Sequence, residues 1–179
     1  MLIQFKYLIR DFKRWQCSSL KDLFYLIFEP GILVTIIYRL GRTLHLIKIP
    51  IISIFFGLIS FLLYKFSELF LSAAIPPRSE IGPGLYIGHT GVIRINPDVK
   101  CGKNFSIGQL VTIGTKGVGN NGAPIIGDDV YIGVGAKVLG KIKIGNNVKI
   151  GANAVVISDI PDNSTAVGIP AKVVKINKT

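Results

Sequence analysis

The chain is short of several things that would point elsewhere. Of 179 residues only 17% are charged, and Asp and Glu number 10 against 21 Lys and Arg. It carries two cysteines, Cys17 and Cys101, so neither a disulfide framework nor a thiolate metal set is available. Two histidines, His45 and His89, are too few for a histidine-built zinc centre. No helix-turn-helix pattern, zinc-finger spacing or aromatic RNA-binding motif accompanies the net charge of +11, and no nucleic-acid partner is expected. The N-terminus has no uninterrupted apolar core for a signal peptide, because Lys6, Arg10, Lys13 and Arg14 break it up. A cytoplasmic chain is expected. The basic excess fits anionic small molecules or an acidic membrane face.

What is present is apolar residue in quantity, 49%, enough for a substantial core. From Ile126 to Pro161 it follows a strict rhythm. Ile126, Ile132, Val138, Ile144, Ile150 and Val156 recur every six residues. Gly127, Gly133, Gly145 and Gly151 follow four of them, and Val130, Ala136, Ile142, Val148, Ala154 and Ile160 stand four places after each. A helix repeats at 3.6 and a strand at 2, so a period of six belongs to neither alone. It is the signature of a β-helix, each hexad forming one flat side and three hexads one triangular turn. The same phase begins at Ile81 and Ile87. It slips by two residues at Ile93-Arg94, then resumes at Ile95, Cys101, Ile107 and Ile113. About four coils are expected. Residues 114–124, GTKGVGNNGAP, have no period and read as a projecting loop. Cys101 takes an inward position, as a buried free thiol.

The first 75 residues read as α-helical and the span 76–179 as the β-helix with a short tail, the boundary falling at Pro76-Pro77. Leu2, Phe5, Leu8, Ile9 and Phe12 have helical spacing. Leu20, Leu23, Phe24 and Ile27 repeat it after Ser18 or Ser19, and Glu29-Pro30-Gly31 reads as a stop. A further helix is expected from Ile32 to about Ile47. Then Ile49 to Tyr64 contains no charge, sixteen residues against the roughly 20 a bilayer span requires. Three readings stand in order: a buried helix, an interfacial helix on a membrane surface, and a tilted span.

These motifs, in this order, resemble the hexapeptide-repeat acyltransferases, in their serine O-acetyltransferase-like branch. YRLGRTL at 38–44, then IGPGLYIGHTG, SIGQLVTIGTKG, IIGDDVYIGVGAKVLG, IGANAVV and GIPAKVV carry the likeness over about residues 36–175. The resemblance implies a left-handed parallel β-helix, a homotrimer, and acetyl-CoA bound between adjacent subunits, with no metal. It implies direct acetyl transfer to a hydroxyl, with His89 of the GHTG motif as general base. Chemistry agrees, since a neutral imidazole can take a hydroxyl proton as the oxygen attacks a thioester. For CoA it implies Gly114, Thr115, Gly133, Val134, Gly151 and Ala152 along the pantetheine arm, and Lys172 and Lys175 for the phosphates.

The departures concern the acceptor. The branch carries Asp where this chain has Gly88, an Arg-His pair at Gly122 and Ala123, and an acidic residue at Ala74. A zwitterion would meet few charges to offset its desolvation. A neutral hydroxyl such as a sugar's is therefore the expected acceptor, met by Gln109, Asn120 and Asn121, and the resemblance implies a role in bacterial surface polysaccharide biosynthesis. Serine O-acetylation in cysteine biosynthesis is the alternative. Asp98, Glu80 or a backbone carbonyl is a candidate to orient His89, and the span 49–75 is a candidate for contact with the inner face of the cytoplasmic membrane.

Overall fold

A computed structural model describes residues 2–15, 28–50, 52–117, 119 and 122–176. The expected helix through Leu20–Ile27, the Ser18/Ser19 cap, Cys17, Asn120 and Asn121 lie outside the described residues. Among the described residues three helices precede a triangular coil of short strands: α1 (Leu2–Lys13), α2 (Pro30–His45) and α3 (Ile52–Phe70).

The coil has three parallel faces. The first stacks β1 (Ala73–Ala74), β4 (Ile93–Ile95), β7 (Thr112–Gly114), β10 (Lys137–Leu139) and β13 (Val155–Val156). The second stacks β2 (Glu80–Ile81), β5 (Lys100–Cys101), β8 (Ile125–Ile126) and β11 (Lys143–Ile144). The third stacks β3 (Tyr86–Ile87), β6 (Ser106–Ile107), β9 (Tyr131–Ile132), β12 (Lys149–Ile150) and β14 (Ser164–Gly168). The hexad Ile and Val residues face one another down the axis, as in Ile87–Ile107–Ile132–Ile150, each at most 2% exposed. Glycine after the inward residue has a steric cause. A Cβ on Gly133 would stand 2.7 Å from the backbone nitrogen of Ala152 in the next coil. Cys101 is buried and free, and burial pushes its thiol pKa up.

Register shows where the repeat is interrupted. Lys143 lies opposite Ile125, the 18-residue coil of three hexads. Glu80 lies opposite Lys100, two residues longer, and Lys100 opposite Ile125, longer by the projecting loop. The two extra residues fall in the corner 88–92 between β3 and β4, where Gly91 and even the β-branched Val92 take positive φ (140° and 43°). The tail is more ordered than its sequence promises. β15 (Ala171–Ile176) returns antiparallel beside β14 and closes the third face.

The helices cover the first coil, and YRLGRTL is what fastens them. The Tyr38 hydroxyl donates to Ser79 O (2.9 Å) and accepts from Ile81 N (3.1 Å). Arg42 donates to the carbonyls of Pro77 and Arg78. Arg39, 1% exposed, donates to Ile81 O and Gly82 O (2.7 Å each) and pairs with Asp11 of α1 (2.7 Å). Asp11 in turn accepts from Gly84 N and Leu85 N, both at 2.7 Å. This network turns α1 over relative to its hydrophobic spacing. Gln4 and Asp11 are buried while Phe5 and Ile9 are exposed, because Arg39 requires polar partners inside.

Two further expectations change. The helix expected from Ile32 begins two residues earlier, at Pro30, after a break at Glu29 that follows helical Phe28. Glu29 is the extended N-cap and Pro30 takes the first turn, where its missing N–H costs nothing. Within a single chain the uncharged run, expected first as a helix buried against neighbouring helices or subunits, is not buried. Ser60 and Ser67 are the buried residues of α3, donating to Gly41 O and Ala73 O, and its large apolar side chains face outward.

Candidate functional site

The corner 88–92 carries two residues more than the repeat, and His89 is in it. The inserted residues let the corner bulge, and His89 is exposed on it. Strand register runs Ile87–Ile107–Ile132–Ile150. Two residues on, it aligns Gln109, Val134 and Ala152 in one column along this corner, successive coils about 4.8 Å apart, and the inserted residues bring Gly91 rather than His89 opposite Gln109. Gln109 is half-buried, and its Cβ lies 3.5 Å from where a Gly91 Cβ would stand. The corner backbone is continuous, with Leu110 N donating to Gly91 O and Gly135 N to Gln109 O. Gly133 and Gly151, one step before the column, keep that edge smooth, which suits a long flexible arm laid along it.

Gly114 and Thr115 stand elsewhere. They end β7, at the far edge of the first face, where Gly114 O accepts from Gly140 N (2.8 Å). Within one chain they flank that face and do not meet His89. Lys172 and Lys175 are exposed on β15, with Lys175 opposite Thr165 on the third face. The acids considered for orienting His89 are ion-paired elsewhere, Asp98 with Arg78 (2.7 Å) and Glu80 with Lys100 (3.3 Å).

The charged pair that adjoins this corner along the chain was not expected from sequence. Arg94, in the strand that leaves the corner, pairs with Glu68 of α3, which also binds Lys65 (2.8 Å). Lys65 and then Arg94 hold the Glu68 carboxyl below its ordinary range. A separation of 26 residues along the chain hides the pair from any local motif. The three departures from the branch pattern also acquire positions. Ala74 is buried in β1 opposite Arg94, between the core residues Ala73 and Ile75. Gly122 takes a positive φ against Lys141, and Ala123 packs on the core.

Known proteins agree with this architecture. Residues 123–158 match the family described as bacterial transferase hexapeptide (six repeats). A serine acetyltransferase of Helicobacter pylori is 39% identical over 150 residues, covering 83% of this chain and 84% of that protein. One from Staphylococcus aureus is 45% identical over 112 residues, 62% of this chain and 53% of its own. Among solved structures, Neisseria gonorrhoeae serine acetyltransferase superposes with a TM-score of 0.81 at 32% identity, over 98% of this chain and 68% of that one. A serine acetyltransferase in complex with CoA gives 0.71 at 30% identity, over 82% of this chain and 58% of that one. The chain belongs to the hexapeptide-repeat acyltransferases, and within them to the serine acetyltransferase-like branch.

These relatives overturn the sugar acceptor, and with it the surface-polysaccharide role. They are serine acetyltransferases at up to 39% identity over most of both chains. The inference from Gly88, Gly122, Ala123 and Ala74 assumed that charges for a zwitterion must sit at those positions. Glu68 and Arg94 show that the fold brings a carboxylate and a guanidinium to this end of the coil from outside the motif.

Proposed function

We propose that this chain is a serine O-acetyltransferase, moving acetyl from acetyl-CoA to the hydroxyl of L-serine. The observation that carries it is the 39% identity to the Helicobacter serine acetyltransferase across 84% of that protein. Neutral His89 takes the hydroxyl proton as the serine oxygen attacks the thioester carbonyl, forming the C–O bond. The C–S bond then breaks, the CoA sulfur leaves as thiolate, and the imidazolium returns the proton to it. Acetyl passes directly, and no acyl-enzyme is required.

The corner column supports the pantetheine arm at Gly133, Val134, Gly151 and Ala152, with Gln109 in line with them and against Gly91 of the inserted corner. Lys172 and Lys175 supply exposed cations for the phosphates. Glu68 and Arg94 offer charges complementary to an ammonium and a carboxylate, their own pair opening to receive them. Gly114 and Thr115 serve the same site through a neighbouring subunit, which supports a homotrimer built on flat faces. Dependence on acetyl-CoA supports a cytoplasmic site of action. The test is thiol release from acetyl-CoA with L-serine, with O-acetylserine identified by mass. Serine-dependent release is expected, and a purified, folded protein that gives none with serine overturns the proposal.

A further inference from the structure

We propose that the outward face of α3, with the basic cluster at its foot, docks the protein on an anionic lipid surface, α3 lying in the interface rather than crossing it. Ile54, Phe55, Leu58, Leu62, Leu69 and Phe70 are 56% to 77% exposed along one helix. Scattered exposed leucines need no explanation, but a continuous row of large apolar side chains does. Among the described residues α3 is the one helix long and apolar enough to cross a membrane. Its other side is tied to the body along its length. Ser60 is bonded to α2, Ser67 to β1, and Glu68 to Arg94 of β4. A helix bonded in this way to a polar coil cannot surround itself with hydrocarbon, but it can lie half-immersed.

The occupant follows from charge. Beside α3 is a hollow walled by Phe61, Tyr64, Pro76 and Pro77, with His45 and Arg78 at its rim. Partial desolvation, and then Arg42, Arg78 and Lys48, hold the His45 pKa below its ordinary value, so three permanent cations crowd this imidazole. Arg42 is fixed by the carbonyls it binds, and one acid, the exposed Asp98, faces Arg78. A phosphodiester headgroup at these cations and acyl chains against the leucines match both halves of the surface. A second copy meeting this patch across a two-fold axis would bring the same cations against each other.

Flotation of the full chain with vesicles of phosphatidylcholine, with and without phosphatidylglycerol, tests this. The wild-type chain is expected to float with the anionic vesicles and remain below with the neutral ones. Lys48→Gln with Arg78→Gln should weaken binding about thirtyfold, at about 1 kcal/mol per cation near the surface. Leu58→Ser with Leu62→Ser should abolish flotation, both variants keeping the wild-type circular dichroism and melting. No wild-type flotation, or equal flotation with neutral vesicles, overturns the proposal. So does a larger wild-type assembly that the leucine variant breaks down without any vesicle binding, which would give the face to a second copy.

Discussion

Arg39→Ala is the most informative single change in the helical region. Its guanidinium makes two bonds to Asp11, two to the backbone carbonyls of Ile81 and Gly82, and a longer one to Gln4 (3.3 Å). Truncation leaves the Asp11 carboxylate buried without its cation and strands two carbonyls of the first coil. Removing one partner of a buried pair costs about 3–5 kcal/mol. Each carbonyl left dry adds about 1–3 kcal/mol, less whatever water recovers. The expected loss is therefore at least about 4 kcal/mol, a large share of a typical domain's stability. Replacing both members by leucine often restores stability for an isolated buried pair. Here Arg39→Leu with Asp11→Leu should not, because the amides of Gly84 and Leu85 and the two carbonyls lose their partners as well. Urea unfolding followed by circular dichroism, with limited proteolysis of the helical region, reads both variants. An Arg39→Ala protein within about 1 kcal/mol of wild type, or a double variant that regains full stability, would refute the network as the fastening between helices and coil.

Gly31→Ala should destabilise the protein, because the added methyl would fall on the Ile87 carbonyl oxygen where α2 lies against β3; an unchanged melting temperature would show that α2 is not held that closely. His89→Ala should lower turnover by about 100-fold or more while leaving circular dichroism and melting unchanged, and near-wild-type turnover would remove His89 as the base. Glu68→Gln should destabilise in a pH-dependent way. The folded carboxyl is held below its ordinary 4.5 by Lys65 and Arg94, so its contribution is full above that value and lost as pH falls through the lowered one. The difference in melting temperature from wild type should thus be largest near neutrality and close in acid, and a difference constant with pH contradicts the ion-paired role.

Hexad spacing was enough to determine the coil: which residues face inward, where glycine must follow, and that a loop at 114–124 and a two-residue slip interrupt it, although the slip expected at Ile93-Arg94 falls at 88–92. Those are local properties, since each hexad repeats the same steric problem against its copy one coil away. His89 was singled out by the resemblance that GHTG carries, not by the spacing. What tertiary structure alone decided involves residues far apart in the chain. The buried Asp11–Arg39 pair joins α1 to α2 and both to the first coil, and reverses which side of α1 faces inward. Glu68 reaches Arg94 across the junction of helix and coil. The outward face of α3 was invisible to hydropathy, which records that a run is apolar but not which side of it the rest of the fold has already covered. A six-residue period encodes contacts between equivalent positions of neighbouring coils, whereas a single buried charge or an uncovered helix face depends on what the remainder of the chain brings to it.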